Sequence, residues 1–240
     1  MISRRIIFKE TNMLIKTENY LNIKLAEFII RKCRFELENY IKTHPEFLYS
    51  LEPIDVEGKG IIKLMSIAGK IANVGPMASV AGAIAEMVVK NTFGDIIADN
   101  GGDICLRARR DINVGLYSGL SKLSGEIGFK LKKEMIKNIY GIATSSATVG
   151  HSISFGNADS VTVFAKSSAI ADAAATAICN ATVGKDKEEQ INNALERADD
   201  IERIDGVFIV IKDLVGVKGK IPELIKTNKK VTLGELFEIY

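Results

Sequence analysis

The stretch that decides the fold is Ser160-Val-Thr-Val-Phe-Ala-Lys-Ser-Ser-Ala-Ile-Ala-Asp-Ala-Ala-Ala-Thr-Ala-Ile-Cys-Asn-Ala-Thr-Val-Gly184. Val161 to Phe164 is β-branched and aromatic and reads as a short buried strand. Ser167 and Ser168 offer N-cap oxygens, and the alanine-dense run from Ala169 to Ala177 has strong helix propensity, so the unit is strand, cap, helix. Asp172 and Thr176, four residues apart, share one helix face. Two readings stay open. A carboxylate and a hydroxyl at that spacing suit a hard cation such as Mg²⁺, which takes oxygen ligands and keeps waters or phosphate oxygens of its own. Equally, Asp172 complements the positive N-terminus of its helix, and Thr176 is a small packed residue.

Around this unit lie 240 residues, enough for one generous domain or two small ones with a substantial core. A formal charge of +2 gives no electrostatic argument for nucleic acid, and no basic patch interleaved with aromatics supplies one. Cys33, Cys105 and Cys179 are far apart and show no metal-type spacing, which predicts buried thiols in a reducing compartment. Met-Ile-Ser-Arg-Arg opens the chain without an apolar signal core, and no apolar run has the length of a membrane span, so a soluble, cytoplasmic protein with no membrane partner is expected.

Arg5 to Thr17 alternates around a Glu10-Thr11-Asn12 break and reads as a hairpin, with Ile6 and Phe8 against Leu14 and Ile15. Asn19 to Lys42 is an amphipathic helix ended by His44-Pro45, with His44 a loop residue. Gly58-Lys59-Gly60 lacks the glycine frame of a phosphate loop. Small residues then dominate, and Pro76 opens a helix to about Asn91, closed by Gly94. The Gly, Ala and Ser at its start, Ala78 among them, allow either an anion at the backbone N–H groups or close helix packing.

Asp95–Ala98 and Ile104–Ala108 flank Asp99-Asn100-Gly101-Gly102-Asp103, a tight hairpin turn whose glycines would also let a ligand meet the backbone. Further strands are read at Val114–Tyr117, Glu126–Leu131 and, as strand or strand entry, Met135–Thr144. The last runs into the hydroxyl-rich Ser145–His151, where His151 is an acid, base or donor, or a plain loop residue. Lys185–Glu202 is a charged helix with Ile191, Leu195 and Ala198 inward. Val207–Ile211 pairs with Leu214–Val217, and Lys218 to Lys230 reads as a surface loop with a helical turn near Pro222. With no repeat, no linker and antiparallel hairpins mixed with helices, residues 1–240 read as a single α+β domain.

Three segments together, Asn100-Gly101-Gly102-Asp103, Ala143-Thr144-Ser145-Ser146, and Ser160-Val-Thr-Val with Ala171-Asp-Ala-Ala-Ala-Thr-Ala177, resemble the core of ApbE-like proteins in identity and order over about 68–184. These are flavin transferases of the thiamine-biosynthesis-lipoprotein superfamily. The resemblance implies that FAD is bound and that Mg²⁺ is held by Asp172 and Thr176. It also implies movement of FMN to a threonine of a protein acceptor. Gly101, Gly102, Asp103, Thr144, Ser145 and Ala78 would then lie at the nucleotide, with Asp103 or His151 taking the acceptor's proton.

The sequence departs from the family pattern where Gly75-Pro-Met-Ala-Ser-Val80 replaces a Lys-Gly-Tyr-Ala-x-Asp signature, and where Ser152–Asn157 replaces Asp-Pro-x-Thr-Gly. It also lacks a lipobox cysteine. Length and the Gly-Pro-Met-Ala-Ser-Val-Ala-Gly segment look closer to a small cytoplasmic branch of archaea and anaerobes, linked to sulfide assimilation into homocysteine. Sulfur chemistry, with Cys105 or Cys179 as a thiolate, is therefore an alternative to the transferase. A non-catalytic ligand-binding protein is another, and it expects Asp172→Ala to change stability little. The Ala-Gly-rich surfaces fit either a nucleotide-containing ligand or a homo-oligomer contact.

Overall fold

The computed structural model describes residues 1–119, 121–146 and 156–228. The elements of the first half are β1 (Ile2–Phe8), β2 (Thr11–Thr17), α1 (Tyr20–Thr43), α2 (Glu46–Tyr49), α3 (Gly60–Ala72), a 3₁₀ turn (Pro76–Ser79) and α4 (Val80–Lys90). Then come β3 (Ile96–Asn100), β4 (Asp103–Arg107), β5 (Ile112–Gly115), β6 (Ile127–Leu131), α5 (Lys133–Ile136) and β7 (Tyr140–Ser145). The last are β8 (Ser160–Ala165), α6 (Ser168–Asn180), α7 (Lys187–Asp199), β9 (Ile204–Ile211), β10 (Leu214–Gly219) and β11 (Glu223–Lys226).

Eight strands form one sheet in the order β1-β2-β3-β4-β7-β8-β9-β10, every neighbouring pair antiparallel. This is chain order with β5 and β6 left out; they pair with β11 in a second sheet, β11-β6-β5. The fold is α+β, as expected. Strand alternation divides the side chains between two faces. Cys105, Ala143, Val161, Val163 and Val207 enter the core shared with α1, α3, α4 and α6. Leu106, Ile142, Phe164 and Phe208 point the other way, toward the small sheet, where Phe129 meets Phe164 and Phe208 edge-on at 4.8 and 5.4 Å.

Several local expectations need correction. The first hairpin turns at Lys9, whose φ is 54°, and Glu10, so Ile6 faces Met13 and Phe8 faces Thr11. Thr11 is buried and belongs to the strand, which moves the register away from Leu14 and Ile15. Gly60–Ala72, between the Gly58-Lys59-Gly60 turn and Pro76, is a helix, with Ile61, Met65, Ala68 and Ala72 as its buried stripe. Its C-terminal turn needs Gly69, where a Cβ would lie 2.7 Å from the Val74 carbonyl. Near Pro222 there is no helical turn: Glu223–Lys226 is strand β11, paired along β6. His44 caps the C-terminus of α1 through its N–H to the Tyr40 carbonyl, 2.9 Å, and its ring stacks on Tyr40, which accords with a loop role.

No single helix among the described residues is long and apolar enough to cross a membrane. The apolar α3 and Pro76–Lys90 are bent by 102° relative to each other and contribute most of their residues to the core.

Helix α6 is pressed against backbone on two sides. A Cβ on Gly141 of β7 would lie 2.4 Å from Ser168 Cα, and a Cβ on Gly82 of α4 would lie 2.3 Å from the Ser168 carbonyl oxygen. Gly82→Ala therefore destabilises the protein by about 1–3 kcal/mol, although alanine is the better helix former. A lowered chemical-denaturation midpoint is the expected result; an unchanged or raised midpoint contradicts this packing.

Candidate functional site

The start of α6 is capped twice. Ser167 accepts from the Ile170 N–H at 3.3 Å, as the sequence suggests. Glu86, on α4, accepts from the Ala169 N–H at 3.1 Å and from the Ser167 hydroxyl at 2.6 Å, and pairs with Lys90 at 2.6 Å. The service is returned. Asp172, on α6, accepts from the Gly82 N–H at 2.8 Å, and the Ala81 N–H also bonds to its carboxylate. Those amides lie in the first turn of α4, where helical backbone has no partner of its own. Asp172 thus complements a helix N-terminus, but that of α4 and not of its own helix. The small residues at the start of α4 serve close packing, and the anion at those amides is an internal carboxylate.

Every residue of α6 is buried except Asp172, Thr176 and Asn180, which recur at four-residue spacing along one edge. The Thr176 hydroxyl makes no hydrogen bond to any described residue. Asp103 approaches from the sheet. It has the parity of Cys105, which lies in the helix-side core, so it points toward the helices. Its hairpin partner Asn100 donates to the Ala81 carbonyl at 3.2 Å, which ties the turn to the first turn of α4. The Asp103 carboxylate accepts from the Thr144 N–H.

The two half-buried carboxylates lie near enough for the charge of Asp172 to act on Asp103. Burial, then the charge of Asp172, then that of Asp99 push Asp103 well above the usual carboxylate range, against the pull of the Thr144 N–H. Burial pushes Asp172 up to about 7, against the Gly82 and Ala81 N–H groups. No Lys, Arg or His among the described residues pairs with either. Hard carboxylate and hydroxyl oxygens fit Mg²⁺. Among the described residues no group of three or more His, Cys, Asp or Glu gathers as a metal cage. A cation here would take further oxygens from water or phosphate, which is the habit of Mg²⁺ and not of zinc.

The other expected site residues are distributed unevenly. Thr144 contributes its backbone; its hydroxyl turns to the opposite face and bonds to the Thr162 hydroxyl at 3.0 Å. Ser145 is buried and has the helix-side parity of Ala143. Gly101 and Gly102 have φ of 73° and 104°, and a Cβ on either would meet nothing within 4 Å, so their need for glycine is the turn. Ala78 lies half-buried in the 3₁₀ turn, which packs on α6. His151 lies outside the described residues. Cys33, Cys105 and Cys179 are buried and form no disulfide among the described residues, and burial followed by the Glu86 charge pushes the Cys105 thiol up, so a thiolate is disfavoured there. Gly82 and Glu86 went unnoticed in the sequence. Glu86 had a signal: among Val80–Val89 it alone is charged, and a lone charge on an apolar helix implies a buried partner.

The profile of a family described as AbpE bacteria matches residues 3–216. A UPF0280 protein of Methanocaldococcus jannaschii is 68% identical over 240 residues, covering 99% of this chain and 98% of its own length. A UPF0280 protein of Methanococcus maripaludis strain C6 is 54% identical over 241 residues, with 98% and 97% covered. Among solved structures, the flavin transferase ApbE of Vibrio cholerae superposes with a TM-score of 0.55 at 14% identity, covering 95% of this chain and 97% of that one. The Pseudomonas stutzeri flavinyl transferase ApbE gives 0.55 at 9% identity, covering 100% and 97%. At such identities these likenesses concern the fold.

Two results are expected from the carboxylate geometry. Asp172→Ala leaves the α4 amides without an acceptor and is less stable than Asp172→Asn by about 1–2 kcal/mol in denaturant unfolding, against the expectation of little change; equal stability contradicts the cap. Asp172 binds its proton more tightly folded than unfolded, so its stabilisation is full below about pH 4 and is lost as pH rises through about 7. In metal-free buffer the protein is thus more stable at pH 5 than at pH 8, by on the order of 1–3 kcal/mol given the residual solvent access. A stability that rises across that interval contradicts the assignment.

Proposed function

We propose that this chain, which belongs to the AbpE bacteria family, binds a flavin nucleotide, FAD, together with Mg²⁺ at Asp172 and Thr176. The observation that carries the cation is the pair of neighbouring carboxylates, Asp103 and Asp172, beside the Thr176 hydroxyl, which bonds to no described residue. The flavin rests on the family and on the printed activity of the ApbE structures that share the fold.

Asp172 would hold the cation with one part of a carboxylate whose orientation is set by the Gly82 N–H. Thr176, one turn further along the same edge, would add the hydroxyl oxygen. Bound there, Mg²⁺ supplies neutralisation of a pyrophosphate and polarisation of a phosphoryl group. In this reading the nucleotide lies along the edge of α6, toward the Gly101-Gly102 turn. Transfer of FMN to a protein hydroxyl further requires a group for the acceptor's proton, a place for which motif position offers Asp103 and His151. The fixed α4–α6 pair keeps the carboxylate in place before ligand arrives, which lowers the ordering cost of binding.

Calorimetric titration of FAD with and without Mg²⁺ tests the reading. The expected result is binding that requires Mg²⁺ and that weakens at least about tenfold in Asp172→Asn and in Thr176→Val. Folded wild-type protein that ignores FAD, or binds it equally well in chelator, contradicts it. Release of AMP with a threonine-containing acceptor then separates transfer from binding.

A further inference from the structure

We propose that Asp103 is a ligand of the same cation as Asp172, so that the ion clasps the β3–β4 hairpin to α6. This rests on the preceding reading, in which Mg²⁺ sits at Asp172, and it assigns Asp103 to the metal instead of to the acceptor's proton.

Strand parity sets the direction of Asp103. Cys105 lies in the core beneath the helices, and Asp103, two residues earlier on β4, projects from the same face. Position along the sheet follows from the hairpin. Asn100 and Asp103 are opposed across the turn, and the Asn100 amide reaches the Ala81 carbonyl. The next residue, Gly82, holds Asp172 through its N–H. Both carboxylates therefore converge on the first turn of α4, one from the sheet and one from α6.

Such a pair needs a positive charge or a shared proton, because two half-buried anions whose charges interact repel. The described residues supply no cationic side chain to either carboxylate. The amides that do bond to them, Thr144 N–H for Asp103 and those of Ala81 and Gly82 for Asp172, orient the two groups without neutralising them. Asp99 adds to the negative field at Asp103. A single Mg²⁺ between them satisfies both charges, and its remaining positions stay open for Thr176, water and phosphate oxygens. A carboxylate engaged in this way is not free to take a proton from an acceptor, so that step falls to another group.

Thermal melts and calorimetry with MgCl₂, alone and with saturating FAD, distinguish the outcomes in wild type, Asp103→Asn, Asp99→Asn and Asp172→Asn. At pH 8 without metal, Asp103→Asn is expected to melt at or above wild type, because one of two repelling charges is gone. Mg²⁺ then raises the wild-type and Asp99→Asn melting points by a few degrees and leaves Asp103→Asn unchanged, with an affinity loss of about 10–100-fold. If Asp103→Asn keeps wild-type Mg²⁺ affinity while Asp172→Asn loses it, the proposal is overturned and the Asp172 site stands. A metal-free Asp103→Asn melting well below wild type also overturns the proposal, since it gives Asp103 a structural role. Wild type that binds no Mg²⁺ in either series overturns both.

Discussion

Helices α4 and α6 approach so closely at Gly82 that backbone meets backbone, and each gives the other a carboxylate. Glu86 of α4 takes the buried helix-end N–H of Ala169, and Asp172 of α6 takes that of Gly82. An amide buried without a partner costs about 1–3 kcal/mol, so the start of each helix is stabilised by the other's acid. Only glycine permits the contact: a Cβ at Gly82 would run into the Ser168 carbonyl, as one at Gly141 would into Ser168 Cα. Alanines along α6 keep the rest of the interface thin. The crossing fixes the helix layer over the eight-stranded sheet.

The site is a consequence of this arrangement. Since ten of the thirteen α6 residues are buried, solvent meets the helix only along Asp172, Thr176 and Asn180. The β3–β4 hairpin then brings Asp103 to the same end through Asn100 and Ala81. A carboxylate used as a helix cap is thereby placed opposite a second carboxylate, and their mutual repulsion creates a demand for positive charge. The helix-capping role of Asp172 and the cation-binding role proposed for it therefore rest on one geometry. A cap holds the side chain still, and an oriented side chain is what a cation requires.

How much of this could be read from the sequence follows the range of the interactions. The β8–α6 unit was legible because its β-branched strand, serine cap and alanine run are local signals. The β3–β4 turn was legible because two glycines with positive φ announce it. The first hairpin slipped because its turn residue in the left-handed region is Lys9, which carries no such signal. Strand β11 is four residues long and exists by pairing with β6, nearly a hundred residues earlier, so no local pattern predicts it. The same holds at the site. Spacing placed Asp172 and Thr176 on one face, but the amides that Asp172 serves lie ninety residues away in sequence. Thr144 and Ser145, adjacent in the motif, are sent to opposite faces by the period of the strand.

The account turns on where a cation sits, and anomalous diffraction from crystals grown with Mn²⁺ in place of Mg²⁺ and with FAD addresses that directly. It predicts one Mn²⁺ peak in coordinating contact with oxygens of Asp172 and Thr176, with Asp103 and a nucleotide phosphate completing the shell. A well-ordered FAD with Mn²⁺ bound elsewhere, or a site at Asp172 empty of metal at saturating Mn²⁺, contradicts it.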